Sequence, residues 1–305
     1  MVRMLHTHNN PMPFRFKKKE SVTKAVRRVC CERLDEAMGM LDRGNHFDAV
    51  HDVRKEIKKL RAILRLVRSG IGETAYDEAT HSLRDAADRL NAMRDAQVRL
   101  TALESLARGS NGHIPHSTLP KIQDALRQNC RAEEQKLSAT MDSVKQVLFE
   151  ARQEFGNLKV KPNSWKALAP GLKKIYSRGR KALTLAERNP SPEHFHEWRK
   201  RVKDLANQLR LVCPARPGKV KTHMDDLDHL GDLLGDDHDL FILNKFVDEK
   251  LRQPREKRPV EQAIAERQKK LRSEALELGA SFYTNKPGRF CRQIGTGWKS
   301  WRGKN

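Results

Sequence analysis

Residues 51–68 read HDVRKEIKKLRAILRLVR. At 100° per residue on a helix, His51, Arg54, Lys55, Lys58, Arg61 and Arg65 fall on one side. Val53, Ile57, Leu60, Ile63, Leu64 and Val67 fall on the other. A stripe of this kind can hold an extended anion. Arg forks onto two oxyanion oxygens, and Lys acts as a mobile point charge. A lone basic stripe is more often a solvated helix face. This one occurs twice. Residues 196–213 read HEWRKRVKDLANQLRLVC, and His196, Arg199, Lys200, Lys203 and Arg210 take the same wheel positions 145 residues further on. They lie opposite Trp198, Val202, Leu205, Leu209 and Val212. Elsewhere the copies differ: Glu56 corresponds to Arg201 and Lys59 to Asp204. Drift that spares one helix face argues for a ligand on that face, since like charges three and four apart otherwise repel.

The leading histidines have a role to play at such a site. A bound phosphate would draw imidazole towards its protonated form, a charged double donor. Nothing in the sequence supplies a nucleophile or acid to make them catalytic. The segment HMDDLDHLGDLLGDDHD (223–239) is rich in Asp and His. Paired Glu-x-x-His motifs of a bundle di-metal site are missing from it. His223, His229 and His238 correspond to Ala79, Asp85 and Arg94 in the other copy, so no metal or cofactor is expected. What repeats, 144 residues apart, is Asp88 with Asp232 and Asp95 with Asp239. Carboxylates kept one helix face apart are expected to pair with the basic helices and hold their side chains in place. Lys173 and Arg180, on the helix before the second stripe, are weaker candidates for anion contact. Walker, GxGxxG, HExxH and GxSxG motifs do not occur.

The elements that must position these residues are helices. Of the 305 residues, 33% are charged and 6% aromatic, with glycine and proline mostly between periodic segments. In the first half, helices are predicted over about 21–41, 47–68, 74–106 and 119–155. Gly44 and Asn45 act as stop signals in the first turn, and 108–117 (RGSNGHIPHS) forms a loop. A linker at 156–163 (GNLKVKPN) leads to a second set over about 165–187, 196–213, 219–251 and 260–282. Pro214 and Pro217 close the second histidine helix, and QPREKRP interrupts the chain before the last one. The closing stretch 283–305, with two tryptophans, should pack on the body. The expected architecture is all-α: two four-helix bundles from an internal duplication, related by a pseudo-twofold axis. Residues 1–13 form a tail, 14–158 the first repeat and 159–305 the second. Five scattered cysteines without a CxxC pair read as reduced thiols. The first 20 residues carry no continuous apolar core, and no 18-residue apolar run exists, so a cytoplasmic protein without membrane insertion is expected.

The histidine helices HDVRKEIKKLRAIL (51–64) and HEWRKRVKDLANQL (196–209) resemble those of the CHAD family, the conserved histidine α-helical domain. YSRGRKAL (176–183), LLGDDHDL (233–240) and KPGRFCRQIGTGW (286–298) support the resemblance, which runs from about Phe14 onward. It implies a basic central pore or groove between the bundles and non-enzymatic binding of inorganic polyphosphate, with possible association with polyphosphate granules. Asp204 and Ala206 depart from the basic residues expected there, so the second stripe should make fewer contacts.

The residues agree with that expectation. A formal net charge of +22 calls for an acidic partner. Polyphosphate offers one negative charge per phosphate and no bases, whereas single-stranded nucleic-acid sites interleave aromatic rings with cations. Neither stripe does so. A nucleic-acid-binding or nucleoid-associated helical protein is the alternative, with nucleic acid otherwise a weaker polyanion ligand. A phosphohydrolase acting on polyphosphate is the third reading.

Overall fold

The computed structural model describes residues 14–43, 46–109, 114–115, 117–213 and 219–303. The 1–13 tail, Gly44, Asn45, Pro214, Pro217 and half of the 108–117 loop lie outside the described residues. Eleven helices are described, and no strand is found among these residues. In chain order they are α1 (Val22–Leu41), α2 (His46–Ile71), α3 (Glu73–Arg89), α4 (Asn91–Gly109), α5 (Thr118–Gln135) and α6 (Leu137–Gly156). The second half holds α7 (Trp165–Arg188), α8 (Pro192–Val212), α9 (Lys219–Lys250), α10 (Pro254–Phe282) and α11 (Pro287–Arg302). The all-helical expectation holds. The count of four helices per half does not, because periodicity is blind to breaks that keep the apolar face in register. The third predicted helix breaks at Leu90, and the fourth breaks at Lys136, each residue ending one helix in an αR turn. The interruption before the last predicted helix is confined to Leu251–Gln253: α10 starts at Pro254, where a missing N–H costs nothing, and absorbs Pro259 in its second turn. The closing stretch packs as expected, but it does so as a helix.

Local chemistry accounts for the helix starts. Ser21, Ser164 and Ser191 are extended N-caps whose hydroxyls accept from Lys24, Lys166 and His194 N–H. Pro192 follows at the first turn of α8. The six apolar residues of α2 and the five of α8 that the wheel placed inward are all buried. They belong to one continuous core that crosses from one half of the chain to the other. Cys30, Cys130 and Cys291 are buried thiols, and Cys31 and Cys213 are partly exposed.

In the first half α1 packs on α2 and α6, and α3 packs on the same two helices. In the second half α8 lies between α7 and α9, with α10 against α9. Here α11 covers α7. Trp298 stacks edge-on to Phe16 at 5.7 Å and lies 5.9 Å from Trp165. Between the halves, α2 packs on both α7 and α8, and α4 packs on α9. Helices at equivalent repeat positions thus touch each other, as a pseudo-twofold arrangement would require. Residues 158–161 are strapped to the first half: Thr23 Oγ1 donates to the Val160 carbonyl at 3.0 Å, and Lys161 N–H donates to the Gly70 carbonyl at 2.9 Å.

The tightest seam is α7 on α2. A Cβ at Gly171 would stand 2.7 Å from the Arg65 carbonyl oxygen and closer still to that of Leu66. Both obstacles are backbone and cannot swing aside. Gly39, by contrast, faces open space. Gly171→Ala should therefore destabilise the protein by about 1–3 kcal/mol, overriding alanine's better helix propensity. Gly39→Ala should stabilise it by up to about 1 kcal/mol. Urea unfolding of both variants checks the pair, and a neutral Gly171→Ala would show that the seam is not as close as described.

Candidate functional site

Because α2 and α8 bury their apolar faces in the same core and touch each other, their basic stripes meet. Lys58 marks the junction. Its charge is repelled by Arg54 on its own helix, by Arg94 on α4, and by Arg199 and Lys203 on α8. Its side chain is exposed to solvent, yet surrounding protein strips enough hydration to lower its pKa to about 7, with those four cations adding to the effect. Exposure combined with desolvation describes a group that lines a groove rather than one on an open face.

The same environment acts on its neighbours. His196 and His238 stack with ring centroids 4.0 Å apart. Burial, then the charges of Lys200 and Arg199, press His196 down to about 4. Burial, then His196 and Arg199, press His238 to about 3. Both Nδ1 atoms are buried and have no partner. His51 is also lowered, by crowding first and then by Arg94 and Lys55. In the free protein all three imidazoles are therefore neutral at pH 7.

The remaining cations fall into two groups. Arg54 reaches the break between α3 and α4, donating to the Ala87 carbonyl and to Asn91 Oδ1 at 2.7 Å. Arg61 sits beside Arg65 and Arg84, and its Nε is buried without a partner. No ion pair forms at Arg54, Lys58, Arg61, Arg94 or Arg199 among the described residues, though Arg199 lies near Asp239, Asp232 and Asp236. The second group is engaged. Lys203 pairs with Asp232 at 3.0 Å, and Arg210 pairs with Asp228. Arg65 crosses to Asp204 on α8 at 3.0 Å, while Lys55 and Lys200 hold Asp52 at 3.2 Å and Glu197 at 2.9 Å.

Most of the sequence-predicted site residues are thus brought together. The four carboxylates expected to pair with the basic helices lie near cations in different ways, and only Asp232 forms an ion pair among the described residues. Asp239 and Asp95, both raised by burial, lie beside Arg199 and Arg94, and beside Arg99, Arg54 and Arg94, respectively. Asp88 accepts from Asn91 at 3.0 Å and so steadies the partner of Arg54. Lys173 and Arg180 are not drawn in. Lys173 neighbours Cys291 on α11, and Arg180 neighbours Tyr176. Three groove residues escape a search for identical repeat positions: Arg84, Arg94 and His238. Their signal was the mismatch itself, since each faces a different residue in the other copy.

On α9, small residues make room for the cations. A Cβ at Gly231 would meet the Lys203 side chain at 2.9 Å, and Gly235 lies under the Arg199 guanidinium. Gly235 corresponds to Asn91 in the repeat, so one arginine rests on an amide and its counterpart on a bare backbone. The arrangement suits one chemistry: a strip of cations, partly dehydrated and held at fixed spacing, facing an anion that enters from solvent.

The sequence model of the CHAD domain matches residues 25–248, a span that contains both histidine helices and the whole of α9 up to Asp248. No curated protein matches the chain in sequence. Solved structures that share its fold include two from different organisms. PptA from Streptomyces chartreusis is 15% identical with a TM-score of 0.63, covering 86% of this chain and 100% of its own. The CHAD domain from the plant Ricinus communis is 13% identical with a TM-score of 0.63, covering 97% of each chain. At these identities the likeness is one of fold. The family match carries the assignment: over most of its length, and over every residue of the groove, this chain belongs to the CHAD domain family.

Proposed function

We propose that the groove binds inorganic polyphosphate without turning it over. The observation that carries this reading is Lys58, exposed yet desolvated and ringed by Arg54, Arg94, Arg199 and Lys203 from three helices. Cations forced together in this way are relieved by a bound polyanion. The resemblance of the histidine helices to the CHAD family points to polyphosphate, and the stripes carry no stacking platform for bases. His51, Arg54, Lys55, Lys58, Arg61, Arg65, His196, Arg199, Lys200, Lys203 and Arg210 are the proposed contacts, joined by Arg94 and Arg84. Asp88, Asp95, Asp232 and Asp239 hold them in position. No described helix is long and apolar enough to cross a membrane. We place the protein in the cytoplasm, at polyphosphate granules where a cell makes them.

Binding by counterion release should weaken steeply with salt, with a slope of log affinity against log salt on the order of −3 for four or five phosphates engaged. Titrating long-chain polyphosphate, duplex DNA and single-stranded DNA across several salt concentrations tests the preference. DNA binding that equals polyphosphate at physiological salt would overturn it in favour of a nucleic-acid site. Lys58→Glu combined with Lys203→Glu should abolish binding with helical content unchanged. Incubation with polyphosphate and Mg²⁺ or Mn²⁺ should release no phosphate, and release would instead make the protein a phosphohydrolase.

The lowered pKa values set a pH dependence with a definite sign. A bound phosphate raises the pKa of Lys58 from about 7 towards the usual ammonium range. Affinity should therefore be highest below pH 7 and should fall as pH rises above it. A proton should be taken up on binding near neutrality, and His196 and His238 should add uptake at lower pH. Calorimetry in two buffers of different ionisation heat measures the uptake. Binding with no proton exchange between about pH 6 and pH 8 would show that Lys58 does not sense the ligand.

A further inference from the structure

The two halves of the groove line up position by position, and at four positions around the cluster the second half carries less positive charge than the first. Arg61, Arg84 and Arg94 of the first half correspond to Ala206, Asp228 and His238 of the second, and Ala92 corresponds to Asp236. Three cations become one small residue, one carboxylate and one imidazole that is neutral at pH 7. One alanine becomes a carboxylate.

The added carboxylates are used. Asp228, Asp232 and Asp236 follow one another at four-residue steps along one face of α9. Asp228 pairs with Arg210, and Asp232 pairs with Lys203 at 3.0 Å. Asp236 lies close to Arg267 on α10 and also to Lys203 and Arg199. The α8 stripe thus faces an internal row of anions. The α2 stripe is less engaged at its centre: Lys55 and Arg65 pair with Asp52 and Asp204, and Asp95 and Asp88 lie near Arg54, but Lys58 and Arg61 form no ion pair among the described residues.

We infer that the groove is polarised: the phosphate chain is held mainly on the α2 side, by Arg54, Lys58, Arg61 and Arg94, while the α9 carboxylates act as a built-in competitor that weakens the contribution of Lys203 and Arg210 on the α8 side. This rests on the polyphosphate reading and specifies which part of the anion is recognised. A phosphate reaching Lys203 or Arg210 only exchanges one anionic partner for another, so the net gain is small. A phosphate reaching Lys58 relieves repulsion and displaces nothing. The α2 cluster from Arg54 to Arg61 spans roughly 10 Å of helix axis, which a few phosphates cover. Affinity should accordingly level off at short chain length, and the α9 row limits what a longer chain can add.

The test compares tripolyphosphate with long-chain polyphosphate on the full chain, with circular dichroism to confirm folding. Lys58→Gln should weaken tripolyphosphate binding by about tenfold, the size expected for a partly dehydrated charge-assisted contact. The pair Lys203→Gln with Asp232→Asn removes an ion pair at constant net charge and should cost several-fold less tripolyphosphate affinity than Lys58→Gln. Asp228→Asn with Asp236→Asn should raise long-chain affinity by about fivefold or more, and leave tripolyphosphate within about twofold. The proposal is overturned if the charge-conserving pair costs as much as Lys58→Gln, or if the Asp228/Asp236 variant gains nothing on long chains. Wild-type protein that binds neither anion would overturn the polyphosphate reading itself. Binding of both with equal losses on the two sides would overturn only the polarity.

Discussion

Two helices with matching positive faces have every electrostatic reason to separate, and the structure depends on the contacts that prevent it. Like charges on α2 and α8 are pressed together because the opposite faces of both helices are fully committed to one core. Specific bridges add to the burial. Gln208, itself buried, donates to the Ala62 carbonyl at 3.2 Å, and Asp204 takes Arg65 across the junction. Gly171 lets α7 lie directly on the backbone of α2. Burial of some eleven apolar side chains from these two helices outweighs repulsion of a few tenths of a kcal/mol per cation pair by a wide margin. The groove is a place where folding free energy from elsewhere holds charge in an unfavourable arrangement.

Asp204 shows how local this compensation is. It is buried, and burial raises its pKa, yet Arg65 and Arg201 stand at 3.0 and 3.6 Å and oppose that shift. In the sequence it reads as the loss of a basic residue from the second stripe. In three dimensions it is the counter-charge that lets Arg65 reach across. A position can thus leave the ligand face and still serve it.

Much of the site was legible before any coordinates. The 3.6-residue period places the apolar residues of α2 and α8 in the core, because both helices are long and amphipathic, but it does not show that Glu56, Asp204 and Gln208 are buried too. The repeat identifies which charged face matters. Periodicity could not show the breaks at Leu90 and Lys136, since a 3₁₀-like turn costs little and leaves the apolar register intact. Nor could it show that the closing stretch, expected to pack on the body, does so as a helix, α11, with Trp298 against Phe16 and Trp165. The repeat had its own blind spot. By attending to what the halves share, it passed over Arg94 and His238, which occupy the same place with different chemistry. Lys173 and Arg180 were misread in the opposite sense, as cations near a site in sequence but turned towards α11 and Tyr176 in space.

The seam at Gly171 bears on how such a chain can be taken apart. The first half presents the backbone of α2 to α7, and the second half presents a glycine that fits only that backbone. Cutting the chain in the 158–163 strap would expose both surfaces at once, along with the inward faces of α4 and α9. A single half would then carry a large sticky flank and half a groove, and two such fragments would find each other again as complementary pieces. The two repeats are independent as words in a sequence, but as solids they are a single object with one indivisible interior.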